Sequence, residues 1–114
     1  MNSKLRGQTP GDTAMSIAGL GPHGERAVPA DQIQFTEADA VVARTRRFSV
    51  AVVLHTTTSD WSKQELAGIA ATLGLYSAAL VEVVDCDFDV ELQVAALARL
   101  AHEPVDAVIS IPIG

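Results

Sequence analysis

After residue 47 the chain falls into blocks of apolar and polar residues, and the blocks set the order of elements. Phe48 to Leu54 (FSVAVVL) is apolar nearly throughout and stops abruptly at His55. A run this short and this apolar predicts a strand covered on both faces. From Asp60 or Ser62 to Leu73 the period lengthens to that of a helix. Leu66, Ile69, Ala70 and Leu73 stand at i, i+3, i+4 and i+7, and Gly74 is the expected stop. A second strand is predicted at about 78–84 (AALVEVV). The next helix is expected to open after Asp87 or Asp89, either of which can cap it. Its predicted apolar stripe is Val90, Val94, Leu97 and Ala101, supported by Ala96 and Leu100, and Pro104 closes it. The last block, 105–113 (VDAVISIPI), predicts a third strand.

The stretch before these blocks is different. Residues 1 to about 34 are rich in Gly, Pro and small polar residues and follow neither period, which predicts a flexible N-terminal segment. Residues 35–47 form a short helix or linker. Thr36-Glu37-Ala38-Asp39 resembles a helix start, Val41 and Val42 give it an apolar side, and Arg44-Thr45-Arg46-Arg47 suits a helix C-terminus. Residues 48–114 then read strand, helix, strand, helix, strand. Crossovers of this length are right-handed, so the fold class is α/β: a parallel βαβαβ sheet of the three-layer, Rossmann-like kind. Three strands with no helix after the last make an unfinished sheet, so the chain is expected to be a partial fold.

Charge and composition narrow the function. The 114 residues carry a formal net charge of −6, which disfavours non-specific attraction to nucleic acid or to an anionic membrane. No apolar run reaches the roughly 18 residues of a membrane helix, so no membrane insertion is expected. No signal peptide is legible at the N-terminus. The single cysteine, Cys86, excludes an intrachain disulfide, and Asp85 and Asp87 beside it suppress thiolate formation. His23 and His102 have no partners at metal-ligand spacing, and Asp85, Asp87 and Asp89 lack the glycine and terminal glutamate of a calcium loop. No Gly-x-Gly-x-x-Gly follows Leu54 and no phosphate loop occurs. No cofactor, no metal and no catalytic set is predicted.

In an open parallel sheet, ligands bind beyond the carboxyl ends of the strands. The loop that follows the first strand, His55-Thr-Thr-Thr-Ser-Asp-Trp-Ser62, holds the only tryptophan of the chain. An indole face next to a carboxylate and several hydroxyls suits a small sugar or polyol. The C–H face of a sugar packs on the ring, and its hydroxyls meet acceptors such as Asp60 and two-way partners such as Thr57 or Ser59. His55 can reach a ligand from the strand end. The same residues also have purely structural readings: Asp60 or Ser62 as helix cap, and Trp61 as a hydrophobic staple.

The ordered set Gly68, Leu73-Gly74, Asp85 to Asp89, Gln93 and Asp106-Ala-Val-Ile-Ser-Ile-Pro112 resembles the opening of the type 1 periplasmic binding proteins. These are the sugar-binding components of ABC importers, and the lac-repressor-type regulators carry a related ligand domain. The likeness covers about residues 47–114, the first part of lobe I. Counting back from Gly68, the family's Asn-Pro-Phe-Phe turn falls on Ser59-Asp60-Trp61-Ser62. The resemblance implies that Trp61 stacks on sugar and Ser59 bonds its hydroxyls. Asp60 replaces the proline, and Ser62 replaces the second aromatic. It further implies a solute-binding, non-enzymatic domain, a permease partner, and a place in the periplasm or cell envelope, although without a visible signal peptide the cytoplasm stays open. A partial chain of this kind is not expected to enclose ligand alone. The alternatives are the sensing domain of a cytoplasmic lac-repressor-type regulator, or a small α/β enzyme using His55 and Asp60.

Overall fold

A computed structural model of the chain describes residues 19–114. The first half of the expected flexible segment, residues 1–18, lies outside the described residues. The chain divides between Thr36 and Glu37 into two units. Before the division, an isolated bridge joins Leu20 to Arg26, and a short 3₁₀ turn spans Ala30–Gln32.

After the division the order is α1 (Glu37–Arg46), β1 (Ser49–Leu54), α2 (Asp60–Leu75), β2 (Ala79–Asp85), α3 (Val90–Leu100) and β3 (Ala107–Ser110). The three strands form a parallel sheet in the order β2-β1-β3. The fold is α/β and Rossmann-like, as the block pattern predicts. β1 is the central strand, and Val50 to Leu54 are all buried, which explains its unbroken apolar run.

Register assigns the two faces. Ala51 and Val53 share a face with Glu82 and Val84 of β2, because directly paired residues in parallel strands point the same way. On that face α3 packs, and Ala51, Val53, Cys86, Ala96 and Leu100 form the core cluster. Val52 shares the opposite face with Ile109, where Ile69 and Leu73 of α2 lie beside it. A helix therefore lies on each face and β1 is buried between them, while Val83, Val108 and Ile109 of the flanking strands stay partly exposed. Arg99 of α3 reaches back over its face to the Glu82 carboxylate and bonds Glu103 one turn on, at 2.8 Å.

Asp106 fixes the amino end of the sheet. Its carboxylate accepts the Ser49 N–H at 2.8 Å, and its own N–H donates to the Ser49 carbonyl at 2.9 Å. One side chain thus aligns the starts of β1 and β3.

Three elements differ from the pattern. α2 runs past Gly74 to Leu75, and Ser77 takes the left-handed conformation instead, with φ 58°. Ala78 N–H bonds the Leu73 carbonyl and Ser77 N–H bonds that of Gly74, the two bonds of a Schellman ending. β3 is only Ala107–Ser110, because the residues before it belong to the Asp106 clamp and those after it leave the ladder. On α3 the buried stripe is Gln93, Ala96 and Leu100, whereas Val90, Val94 and Leu97 are 50%, 61% and 38% exposed. The two stripes lie roughly a quarter turn apart. Periodicity offers both, and the bonds made by Gln93 select the one that packs.

Candidate functional site

β1 lies between its neighbours, so its carboxyl-end loop is flanked by the loops of β2 and β3. Backbone hydrogen bonds tie these loops beyond the last ladder pairs. Cys86 N–H donates to the Leu54 carbonyl at 2.9 Å, Phe88 N–H to the His55 carbonyl at 2.8 Å, and Ile111 N–H to the Val53 carbonyl at 3.2 Å.

The hydroxyls of the β1 loop are engaged in building the loop. Thr56 is buried, and its hydroxyl accepts the Thr58 N–H at 3.2 Å. Thr57 donates to the Asp85 carboxylate at 2.8 Å, and the other oxygen of Asp85 accepts the Asp87 N–H at 2.9 Å. These bonds hold the Asp85 carboxyl below the usual carboxylate range, the Thr57 hydroxyl first and the Asp87 amide second. Ser59 is the N-cap of α2. Its hydroxyl oxygen accepts the Ser62 N–H at 3.1 Å and its O–H donates to the Ser62 hydroxyl at 2.9 Å. Ser62 is fully buried. Of the two candidate caps in the sequence, neither Asp60 nor Ser62 serves: the cap lies one residue before Asp60.

Asp60 and Trp61 occupy the first turn of α2, both exposed, Trp61 by 55%. A carboxylate there is favoured by the helix dipole. The Trp61 and His55 ring centroids are 6.0 Å apart with the planes tilted by 59°. On His55 a second ring also rests: Phe88, at 5.3 Å and edge-on. His55 is half-buried, and its Nδ1 is buried with no hydrogen-bond partner among the described residues.

The structure thus brings all five predicted residues to one edge with distinct jobs. Trp61, Asp60 and His55 form its outward part, and Thr57 braces it through Asp85. Ser59, the fifth, is engaged in the cap. Phe88 was not among the predicted residues. Its signal in the sequence is an aromatic set inside an otherwise acidic turn, Asp85-Cys-Asp-Phe-Asp89. Cys86 is fully buried, and burial, with Asp85 and Asp89 nearby, pushes its thiol pKa up.

Among the described residues no cluster of His, Cys, Asp or Glu has the arrangement of a metal site, and no helix is long and apolar enough to cross a membrane. A groove of about 400 Å³ lies elsewhere, on the α2 face of β3, between Gln64, Gly68, Ile69, Leu73 and Ile109. It is open and mostly apolar. The convergent polar groups and rings are at the carboxyl edge instead, which is where an open parallel sheet places its ligands.

Comparison of the chain with protein-family models, with curated proteins and with solved structures finds no match.

Proposed function

We propose that the carboxyl edge of β1 and β2 is one wall of a sugar- or polyol-binding site, in a domain related to the first lobe of the type 1 periplasmic binding proteins. The observation that carries this reading is the exposed indole of Trp61 beside His55 at the end of the central strand. A large aromatic ring that stays more than half exposed offers a platform for the C–H face of a sugar. Asp60, on the next residue, offers a charged acceptor for hydroxyls, and the first turn of α2 offers N–H donors.

The Rossmann-like order of strands and the ordered motif set of residues 47–114 support the family reading. In that reading the domain binds solute for an ABC-type importer and does no chemistry on it. Ligand would be held between this wall and a second lobe.

The test is calorimetric titration of the protein, in the form its source makes, with D-glucose, D-galactose, D-ribose, D-xylose and myo-inositol. Binding is expected for at least one, and Trp61→Ala is expected to weaken it about tenfold or more. Unchanged affinity in Trp61→Ala would remove the indole from the site. No binding of any of the five would remove the sugar reading.

A further inference from the structure

We infer that Phe88 is the second aromatic wall of this site and restricts it to cyclic sugars. The inference rests on the sugar reading above and adds to it a residue and a preference. The loop after β1 offers no second Phe, Tyr or Trp ring beyond Trp61, whose neighbour is Ser62. That residue is fully buried and bonded to Ser59, so nothing at position 62 can meet a ligand. Phe88 brings a ring to the same edge from the neighbouring loop.

Three observations mark Phe88 as more than a loop residue. Its ring contacts His55, which also contacts Trp61, so one imidazole joins the two rings. The ring is 62% exposed, so packing accounts for little of its presence. Its backbone is left-handed, with φ 58°, directly after Asp87 at φ 50°. A bulky side chain is disfavoured there, and glycine or asparagine is the ordinary occupant. A residue that is strained, exposed and aromatic at a strand's carboxyl end is held for something other than the fold. Its backbone N–H bond to His55 needs no side chain, so the ring itself is what the position gains.

Two aromatic surfaces flanking His55 select for shape. A cyclic sugar is rigid and presents a continuous C–H face to each ring. An open-chain polyol with the same hydroxyls must be ordered first, which costs affinity. The wall formed by Phe88 therefore favours D-glucose over D-sorbitol.

The experiment compares wild type, Phe88→Gly, Phe88→Tyr and Trp61→Ala. Each is titrated with D-sorbitol and with D-glucose, D-galactose, D-ribose and D-xylose, and each is also melted. The expected result for Phe88→Gly is about tenfold weaker binding of the cyclic sugar, with a melting temperature unchanged or higher. Phe88→Tyr should retain binding, and the preference for the cyclic sugar should shrink in Phe88→Gly. Binding by Phe88→Gly equal to wild type, with Trp61→Ala weakened, overturns the role of Phe88 and leaves the sugar reading standing. Loss of binding that only follows a lowered melting temperature makes Phe88 structural and overturns the proposal. If no sugar binds the wild type, both readings fall.

Discussion

The backbone N–H of Phe88 donates to the carbonyl of His55 at 2.8 Å, and this bond fastens the loop after β2 to the end of β1. It continues the ladder past Cys86 N–H on Leu54, so the two loops leave the sheet as a joined pair. The Thr57–Asp85 bond fastens them a second time through side chains. An edge tied in this way holds its rings in place, and in the proposed site that would lower the ordering cost of binding.

The Thr57–Asp85 bond makes stability depend on pH. The Asp85 carboxyl is held low by the Thr57 hydroxyl and the Asp87 amide. A carboxylate with a depressed folded-state pKa stabilises the fold above its unfolded value, and the contribution is lost as pH falls through the folded value. Thr57→Val removes the larger of the two causes. The variant is therefore expected to be less stable than wild type at neutral pH, with the difference closing in acid below the usual carboxylate range. Urea midpoints measured from neutral pH downward give both curves. A gap that stays constant into acid would show that Thr57 acts by some route other than Asp85.

The order of elements was readable because each segment keeps one period long enough to be recognised. β1 is the clearest case: its unbroken apolar run matches burial on both faces. What could not be read depends on contacts between distant residues. Val90, Val94 and Leu97 make a good stripe on paper, but Gln93, a polar residue, chooses the face by bonding Ile111 and Ile113. β3 shortens because Asp106 is spent on Ser49, 57 positions away in sequence. At the carboxyl edge, the placement of Asp60, Trp61 and His55 together was legible because all three directly follow a strand end. The place of Phe88 beside them was not, since it comes from a loop crossing to His55 and from a backbone angle that no composition rule announces.

Ser77 shows the same limit and offers a stability test. The Schellman ending of α2 puts it at φ 58°, where a Cβ is strained and glycine is relaxed. Ser77→Gly is expected to stabilise the protein by about 0.5–1 kcal/mol, the relief of strain outweighing the added freedom of the unfolded chain. Thermal or urea denaturation measures it. A destabilised variant would mean that the Ser77 side chain makes a contact worth more than the strain.

Cys86 should be slow to react in the native protein. It is fully buried, and its thiol is pushed up by burial and by Asp85 and Asp89, so the nucleophilic thiolate is both scarce and inaccessible. Labelling with a disulfide reagent at neutral pH should be slow and should accelerate in step with urea-driven opening. Rapid labelling in native buffer would show that the core beneath the β2 loop opens readily. Cys86→Ser should cost about 1–3 kcal/mol, because it leaves a hydroxyl buried in an apolar cluster.

Gln93 carries the last prediction, because its amide replaces a strand. Beyond Ser110 the Ile111 N–H still bonds Val53 of β1, and Gln93 takes up the next backbone acceptor and donor. Its Nε2 donates to the Ile111 carbonyl at 2.8 Å, and its Oε1 accepts the Ile113 N–H at 2.9 Å. Gln93 is itself 6% exposed, so removing the amide strands two backbone groups in a partly dry place. Gln93→Leu keeps the volume and loses both bonds, and a loss of about 2–4 kcal/mol is expected at roughly 1–2 kcal/mol per stranded group. The effect should be local as well as global. Amide exchange at Ile113 should speed up before exchange in the middle of β1 does, because the Ile111–Ile113 segment would be freed from α3 while the central strand keeps its ladder. Uniform acceleration across the sheet would instead mean that Gln93 supports the whole domain, with the carboxyl edge of β3 no more dependent on it than the core.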